Sequence, residues 1–164
     1  MADHSRFFAA HWHRLRHGGL TQARLAHPRW EEAALRVLIL RLSPYSDVDR
    51  STPHLFLAQE ARRAGADVYV DFCFFPGRED AALLAAHGVP PITGIASSRS
   101  VDDFDLVLVS CSFVLELLNL PVLLEGSGLP LLASLRPQAP VMVLGGSAAL
   151  ASQAVIDESG DAMV

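Results

Sequence analysis

The sequence predicts an α/β fold: a doubly wound, mostly parallel five-stranded sheet of the Rossmann or flavodoxin type, with a helical N-terminal arm. Three observations carry this expectation. Leu106 to Val109 is a run of four apolar residues without alternation, as in strands buried on both faces of a parallel sheet. Strand-like runs alternate with helical-period segments in the order β-α-β-α-β-α-β-α-β, which predicts right-handed crossovers. The mean hydropathy of +0.29, with 51% hydrophobic residues, suits a sheet covered on both faces.

The elements follow in chain order. Residues 5–16 have helical character ended by Gly18-Gly19, and Pro28 interrupts the segment that Thr21 would cap. Arg36 to Leu42 reads as the first strand of the domain. Its loop, from Ser43 to Arg50, leads to Thr52 as N-cap and Pro53 at the first helical position, with a helix over 55–64 closed by Gly65. Val68 to Phe74, rich in β formers, is the second strand. Pro76-Gly77 turns into a helix over 78–86, stopped by Gly88.

Val89 to Asp103 is too long for a minimal connection and contains Pro90, Pro91 and Gly94, so it is expected to lie across the sheet edge and to line a site. Strand three follows, then Ser110-Cys111-Ser112. From Phe113 the period becomes helical, with Phe113, Leu117 and Leu120 on one face. A short helix over 129–135 precedes strand four, Val141 to Leu144. Gly145-Gly146-Ser147 turns into a helix over 148–158, and residues 161–164 begin a fifth strand. The domain division expected is a basic helical arm, 1–34, and an α/β domain, 35–164.

Charge and composition exclude several classes. A net charge of −5 argues against a general nucleic-acid surface. Residues 1–30 nevertheless hold five Arg against one acid, while the remainder holds eight Arg against seventeen acids. That basic arm either touches an acidic partner or its own domain, or is a solvated helical lead-in. No apolar run is long enough to span a bilayer, because Glu116, Asn119 and Pro121 break the longest one. No signal peptide is apparent, and Cys73 and Cys111 read as buried, reduced thiols of a cytoplasmic protein. His13 and His17 would share a helix face at i,i+4 spacing, but no third ligand accompanies them. Asp47 and Asp49 fit turn formation better than cation binding.

In a sheet of this type ligands bind at the carboxyl edge of the strands. Three small-residue turns are predicted there: Ser43-Pro44-Tyr45, Ser110-Cys111-Ser112 and Gly145-Gly146-Ser147. Small residues let a ligand approach the backbone, and helix N-termini favour anionic oxygens. The alternative is that tight strand-to-helix turns simply require them. No Gly-x-Gly-x-x-Gly follows strand one, and a chain without lysine has no Walker phosphate loop. Serines stand where a phosphoacceptor aspartate would be needed.

Several segments then resemble a known family. They are residues 98–105 (Ser-Arg-Ser-Val-Asp-Asp-Phe-Asp), Val109-Ser110, Glu116-Leu117-Leu118-Asn119, Ser127-Gly128-Leu129-Pro130-Leu131 and Val143-Leu144-Gly145-Gly146-Ser147-Ala148. Together they resemble the N-terminal, cobalamin-binding-like domain of radical SAM proteins, over about residues 36–164. The resemblance implies a cobalamin-binding-type fold, cut from a longer chain and followed by a radical SAM domain as its partner. It implies cobalamin, or a degenerate cobalamin site, in this domain. S-adenosylmethionine and a 4Fe-4S cluster would belong to the downstream domain, since Cys73 and Cys111 do not make a Cys-x-x-x-Cys-x-x-Cys motif.

By that resemblance Ser110 or Ser112 stands for the Ser-x-Leu element at the end of strand three, and Gly145-Gly146 for the turn around the nucleotide tail. The Asp-x-His-x-x-Gly motif that supplies a cobalt ligand is absent. Ser43-Pro44-Tyr45 occupies its place, and His54 lies too far into the next helix. The cofactor-binding set expected is therefore Ser43, Pro44, Tyr45, Ser110, Ser112, Gly145, Gly146 and Ser147, with no metal ligand and no catalytic residue. Two other readings stand beside it. One is a cofactor-free interaction domain that packs on the radical SAM barrel, with Glu116 and Asn119 as candidates. The other is an independent enzyme using Ser110 or Ser112 as nucleophile, for which no His-Asp partnership is visible.

Overall fold

The computed structural model describes residues 4–11, 28–48, 52–136, 140–151 and 158–163. A parallel sheet forms its centre. Its main strands are β1 (Leu35–Arg41), β2 (Val68–Phe74), β3 (Leu106–Ser110) and β4 (Val141–Gly145), and a two-residue segment, β5 (Ala162–Met163), pairs along β4. The order across the sheet is β2-β1-β3-β4-β5, with every pair parallel. Six α-helices accompany it among the described residues: α1 (Ser5–Ala10), α2 (Tyr45–Val48), α3 (Pro53–Ala64), α4 (Arg78–Ala86), α5 (Asn119–Gly126) and α6 (Ser147–Ala151).

The unalternating apolar runs are explained by two cores, one on each face of the sheet. On one face Val37, Ile39, Val70 and Phe72 meet Ala58 and Leu57 of α3. On the other, Leu38, Leu40, Val107, Val109, Met142 and Leu144 meet Leu120, Leu123 and Leu124 of α5 and Ala148 of α6. Successive side chains of one strand thus serve opposite cores, so the runs are apolar without alternation. At the amino edge two aspartates cap neighbouring strands. Asp105 accepts the Arg36 backbone N–H at 2.8 Å, and Asp161 accepts that of Met142 at 2.7 Å.

Several expectations are corrected. Helical structure after β3 begins as a 3₁₀ turn, Val114–Leu118, and becomes α-helical only at Asn119. Leu117 and Leu120 are buried as expected, but Phe113 is 71% exposed, because the extended backbone at that residue swings it away from the helical face. The helix expected over 129–135 reduces to a 3₁₀ turn, Ala133–Leu135; Arg136 is buried beside it and donates to the Pro130, Leu131 and Ser159 carbonyls. Thr52 precedes α3 without a side-chain capping bond. The helix starting at residue 5 extends to Ala10, and His13, His17, Thr21 and Asp49 lie outside the described residues, as do most of the residues expected to continue α6. Nor are the described parts of the arm a solvated lead-in. Phe8 is buried against Leu84 and Val89, His4 bonds Ser98 and Ser100, and Trp30 packs edge-on to Tyr69 and Phe104 under Arg36 and Arg99.

The long segment 89–103 lies across the sheet edge, as expected. Edge strands leave unpaired backbone groups. Here Ile95 donates to the Phe72 carbonyl of β2 at 3.0 Å, and a Thr93–Ser100 bridge closes the loop. Asp71, fully buried on β2, holds the loop in place. Its carboxylate accepts the backbone N–H groups of Phe72, Ala96 and Ser97 at 2.7, 3.0 and 2.7 Å. Burial raises its pKa from the ordinary carboxylate value, against the pull of those donors. Gly94 fits because a Cβ there would collide with the same carboxylate. Asp71→Ala leaves the backbone N–H groups of buried Phe72 and half-buried Ala96 and Ser97 without their acceptor and is expected to destabilise the fold by about 3 kcal/mol, measurable by urea denaturation.

Candidate functional site

Parallel strands and short connections bring the ends of β1, β3 and β4 together at the carboxyl edge. Arg41↔Ser110 and Ser110↔Gly145 are register partners, so the last residues of three strands lie side by side. The three turns named from sequence do converge there, but they do different things.

Ser110, Gly145 and Gly146 line one cleft of about 400 Å³. Its other walls are Pro53, Phe56 and Leu57 of α3 with Leu108, Val109 and Val143 of the sheet. It lies on the face that α3 covers over β1 and β2, beside that helix and above β3 and β4. Among the described residues the lining is apolar apart from Ser110 and backbone groups.

The other predicted residues do not line it. Ser43 and Ser112 belong to an adjacent polar network centred on Glu116. The buried Glu116 carboxylate accepts the Ser43 hydroxyl, the Ser112 backbone N–H at 2.7 Å and the Phe113 backbone N–H at 3.3 Å. Asn119 donates to the Leu42 carbonyl at 2.8 Å. Glu116 and Asn119 thus tie the β1 loop to the β3 loop separately rather than forming a pair. Ser147 donates to the Ser112 carbonyl at 3.0 Å. Pro44 lies half-buried in the same loop, and Tyr45 packs edge-on to Phe74 with ring centroids 5.2 Å apart.

Sequence reasoning missed Arg41. It is the penultimate residue of an apolar run and reads as strand punctuation, yet it is 1% exposed. It donates to the Ser110 hydroxyl at 2.9 Å and the Ser112 hydroxyl at 3.2 Å, while its Nε has no partner among the described residues. Among the described residues no carboxylate lies within 4 Å of it. Burial lowers its pKa from the ordinary value, and the nearby Glu116 charge opposes the shift. The signal in the sequence was a charged residue inside a run otherwise destined for two cores.

His54 sits at the start of α3, 2% exposed, edge-on to Phe72 and Phe74, with Nδ1 unpartnered among the described residues. It does not line the cleft. Cys73 and Cys111 are free and buried. Burial pushes their thiols up to about 12 and about 11, so both are protonated at neutral pH and suit neither nucleophile nor cluster ligand. Among the described residues no group of three His, Cys, Asp or Glu side chains converges on a metal position. No described helix is long and apolar enough to cross a membrane.

Parallel strands whose carboxyl ends border an apolar cleft place the chain in the α/β class, in which that edge is the usual ligand position. Comparison with protein families narrows this. Residues 60–164 match the family described as radical SAM proteins, N-terminal, and the chain belongs to that family. No curated protein matches the chain.

Two measurements check the local physics. Gly146 has φ +111°, and a Cβ there would collide with the Cys111 backbone carbonyl. Gly146→Ala is expected to cost on the order of 2–3 kcal/mol in a denaturation experiment. Burial, then the Arg41 charge, holds the His54 imidazole below its ordinary pKa, so the native state keeps it neutral while the unfolded chain takes a proton below about pH 6.5. Its contribution is intact above that pH and declines as pH falls. Melting temperature should therefore drop from about pH 7.5 to about pH 5, and His54→Phe should flatten that drop.

Proposed function

We propose that this domain is the cofactor-binding module of a radical SAM protein, holding cobalamin or the remnant of a cobalamin site at the carboxyl edge of its sheet. The observation that carries the reading is the convergence of Ser110, Gly145 and Gly146 on one apolar cleft. The strand order β2-β1-β3-β4-β5 supports it, since that order is the flavodoxin-like doubly wound arrangement, whose ligands sit at the carboxyl edge. At about 400 Å³ the cleft suits a flat heterocyclic group such as a nucleotide base, not a whole corrinoid. A corrin ring would rest outside it, over the strand ends. Ser110 and the Gly145-Gly146 backbone are the residues that would hold the inserted group. His54 faces a closed apolar wall and would not serve as a cobalt ligand.

S-adenosylmethionine and the 4Fe-4S cluster are assigned to a radical SAM domain of the parent protein, because neither buried cysteine fits cluster ligation. No reaction step is assigned to the residues of this chain. When bound, cobalamin would supply methyl-transfer or radical-accepting chemistry to the partner domain. A cytoplasmic location accords with two free thiols.

A second reading is favoured by a separate observation. Leu115 and Leu118 are 76% and 70% exposed, and Phe113, Val114 and Val122 are exposed near them in sequence. A surface this apolar suits a docking partner, so the domain would serve as a cofactor-free platform packed on the radical SAM barrel. Mixing the protein with hydroxocobalamin separates the two. Cofactor binding predicts a shifted corrinoid absorption spectrum and a raised melting temperature, both lost in Ser110→Trp and Gly145→Val. No binding at high micromolar corrinoid rejects the cofactor reading for this domain and leaves the platform reading.

A further inference from the structure

Among the described residues the cleft is lined by one polar side chain, Ser110, and its hydrogen-bonding sense is fixed from behind. A guanidinium has only donors, whereas a serine hydroxyl has one donor and two acceptor sites. In the 2.9 Å bond between Arg41 and Ser110, therefore, Ser110 is the acceptor and its own proton is directed elsewhere. Among the described residues nothing accepts that proton. Ser110 is nearly buried, with the cleft as its open side. Arg41 cannot rotate away easily: it is 1% exposed, and its second bond to Ser112 fixes the plane of the fork. A buried cation with no carboxylate within 4 Å also withdraws charge from the hydroxyl it binds, which strengthens that hydroxyl as a donor.

We infer that Arg41 is a positioning residue that makes Ser110 the donor of the cleft, restricting its occupant to an apolar, flat group carrying a hydrogen-bond acceptor. A neutral aromatic nitrogen or a carbonyl oxygen fits this description. A group that can only donate would face the cleft's one hydroxyl with the wrong polarity and leave the Ser110 proton unpaired. The inference rests on reading the cleft as a ligand site. It does not depend on the ligand being a corrinoid.

Quinoline and indole test it, since they are bicyclic aromatics of similar size in which the ring nitrogen only accepts or only donates. Each is titrated into the folded protein and followed by chemical-shift changes of the backbone amides of Ser110 and Gly146. The wild-type chain should hold quinoline roughly three- to tenfold more tightly than indole. Ser110→Ala should bring that ratio to about one. Arg41→Met should also collapse the ratio, whereas Arg41→Lys, which keeps a charged donor, should retain most of it. A general loss of packing would weaken both compounds together and leave the ratio intact. Should Arg41→Met fail to fold, the Ser110→Ala ratio and the rescue by Arg41→Lys carry the test. Equal affinities in the wild type, a preference for indole, a ratio unchanged in Ser110→Ala, or no binding of either compound at millimolar concentration each overturn the inference. A quinoline preference without corrinoid binding keeps it and rejects cobalamin. Corrinoid binding with a ratio of one rejects it alone.

Discussion

The constraint on which this domain depends is that β1 is covered on both faces and paired on both edges. Val37 to Leu40 are at most 1% exposed, so the strand's backbone groups have no water to bond and must pair with β2 on one side and β3 on the other. That requirement fixes the register of three strands, and the register brings Arg41, Ser110 and Gly145 into one row. The two cores, the capping aspartates at the amino edge and the cleft at the carboxyl edge all follow from that placement.

The polar groups near the edge are ordered by the same enclosure. A guanidinium buried at the end of β1 needs acceptors, and the hydroxyls of Ser110 and Ser112 provide them. Glu116, turned inward from the 3₁₀ turn, gathers the donors of Ser43, Ser112 and Phe113. The outcome is a polar layer beside an apolar cleft, with the Ser110 proton left for the cleft. At the far edge Asp71 plays the corresponding part, organising a proline-bearing loop that covers β2. In both places a buried acidic or basic group holds irregular backbone where no ladder could.

Much of the fold was legible because unalternating apolar runs have few structural solutions. The strand runs at 36–42, 68–74, 106–109 and 141–144 matched β1 to β4 within a residue at either end. Glycine and proline marked most of the turns. Helix type after β3 was less legible, since 3₁₀ and α geometries share nearly the same apolar spacing over one turn. The convergence of Ser110 with Gly145-Gly146 followed from topology. The separation of Ser43, Pro44, Tyr45, Ser112 and Ser147 from the cleft did not, because residues in one turn point to different sides of an edge.

The sequence by itself determined the class, a parallel α/β sheet with its small-residue turns on one edge, because hydrophobic period and turn chemistry are local properties. It also carried the family likeness. Only the tertiary structure decided what those turns do. Whether a serine faces a cleft or an arginine depends on which strand lies beside it, and that neighbour is 69 residues away for Arg41 and Ser110. Burial turned Arg41 from an unremarked strand residue into the group that sets the polarity of the cleft, since a charge removed from water acts on whatever the fold places within reach.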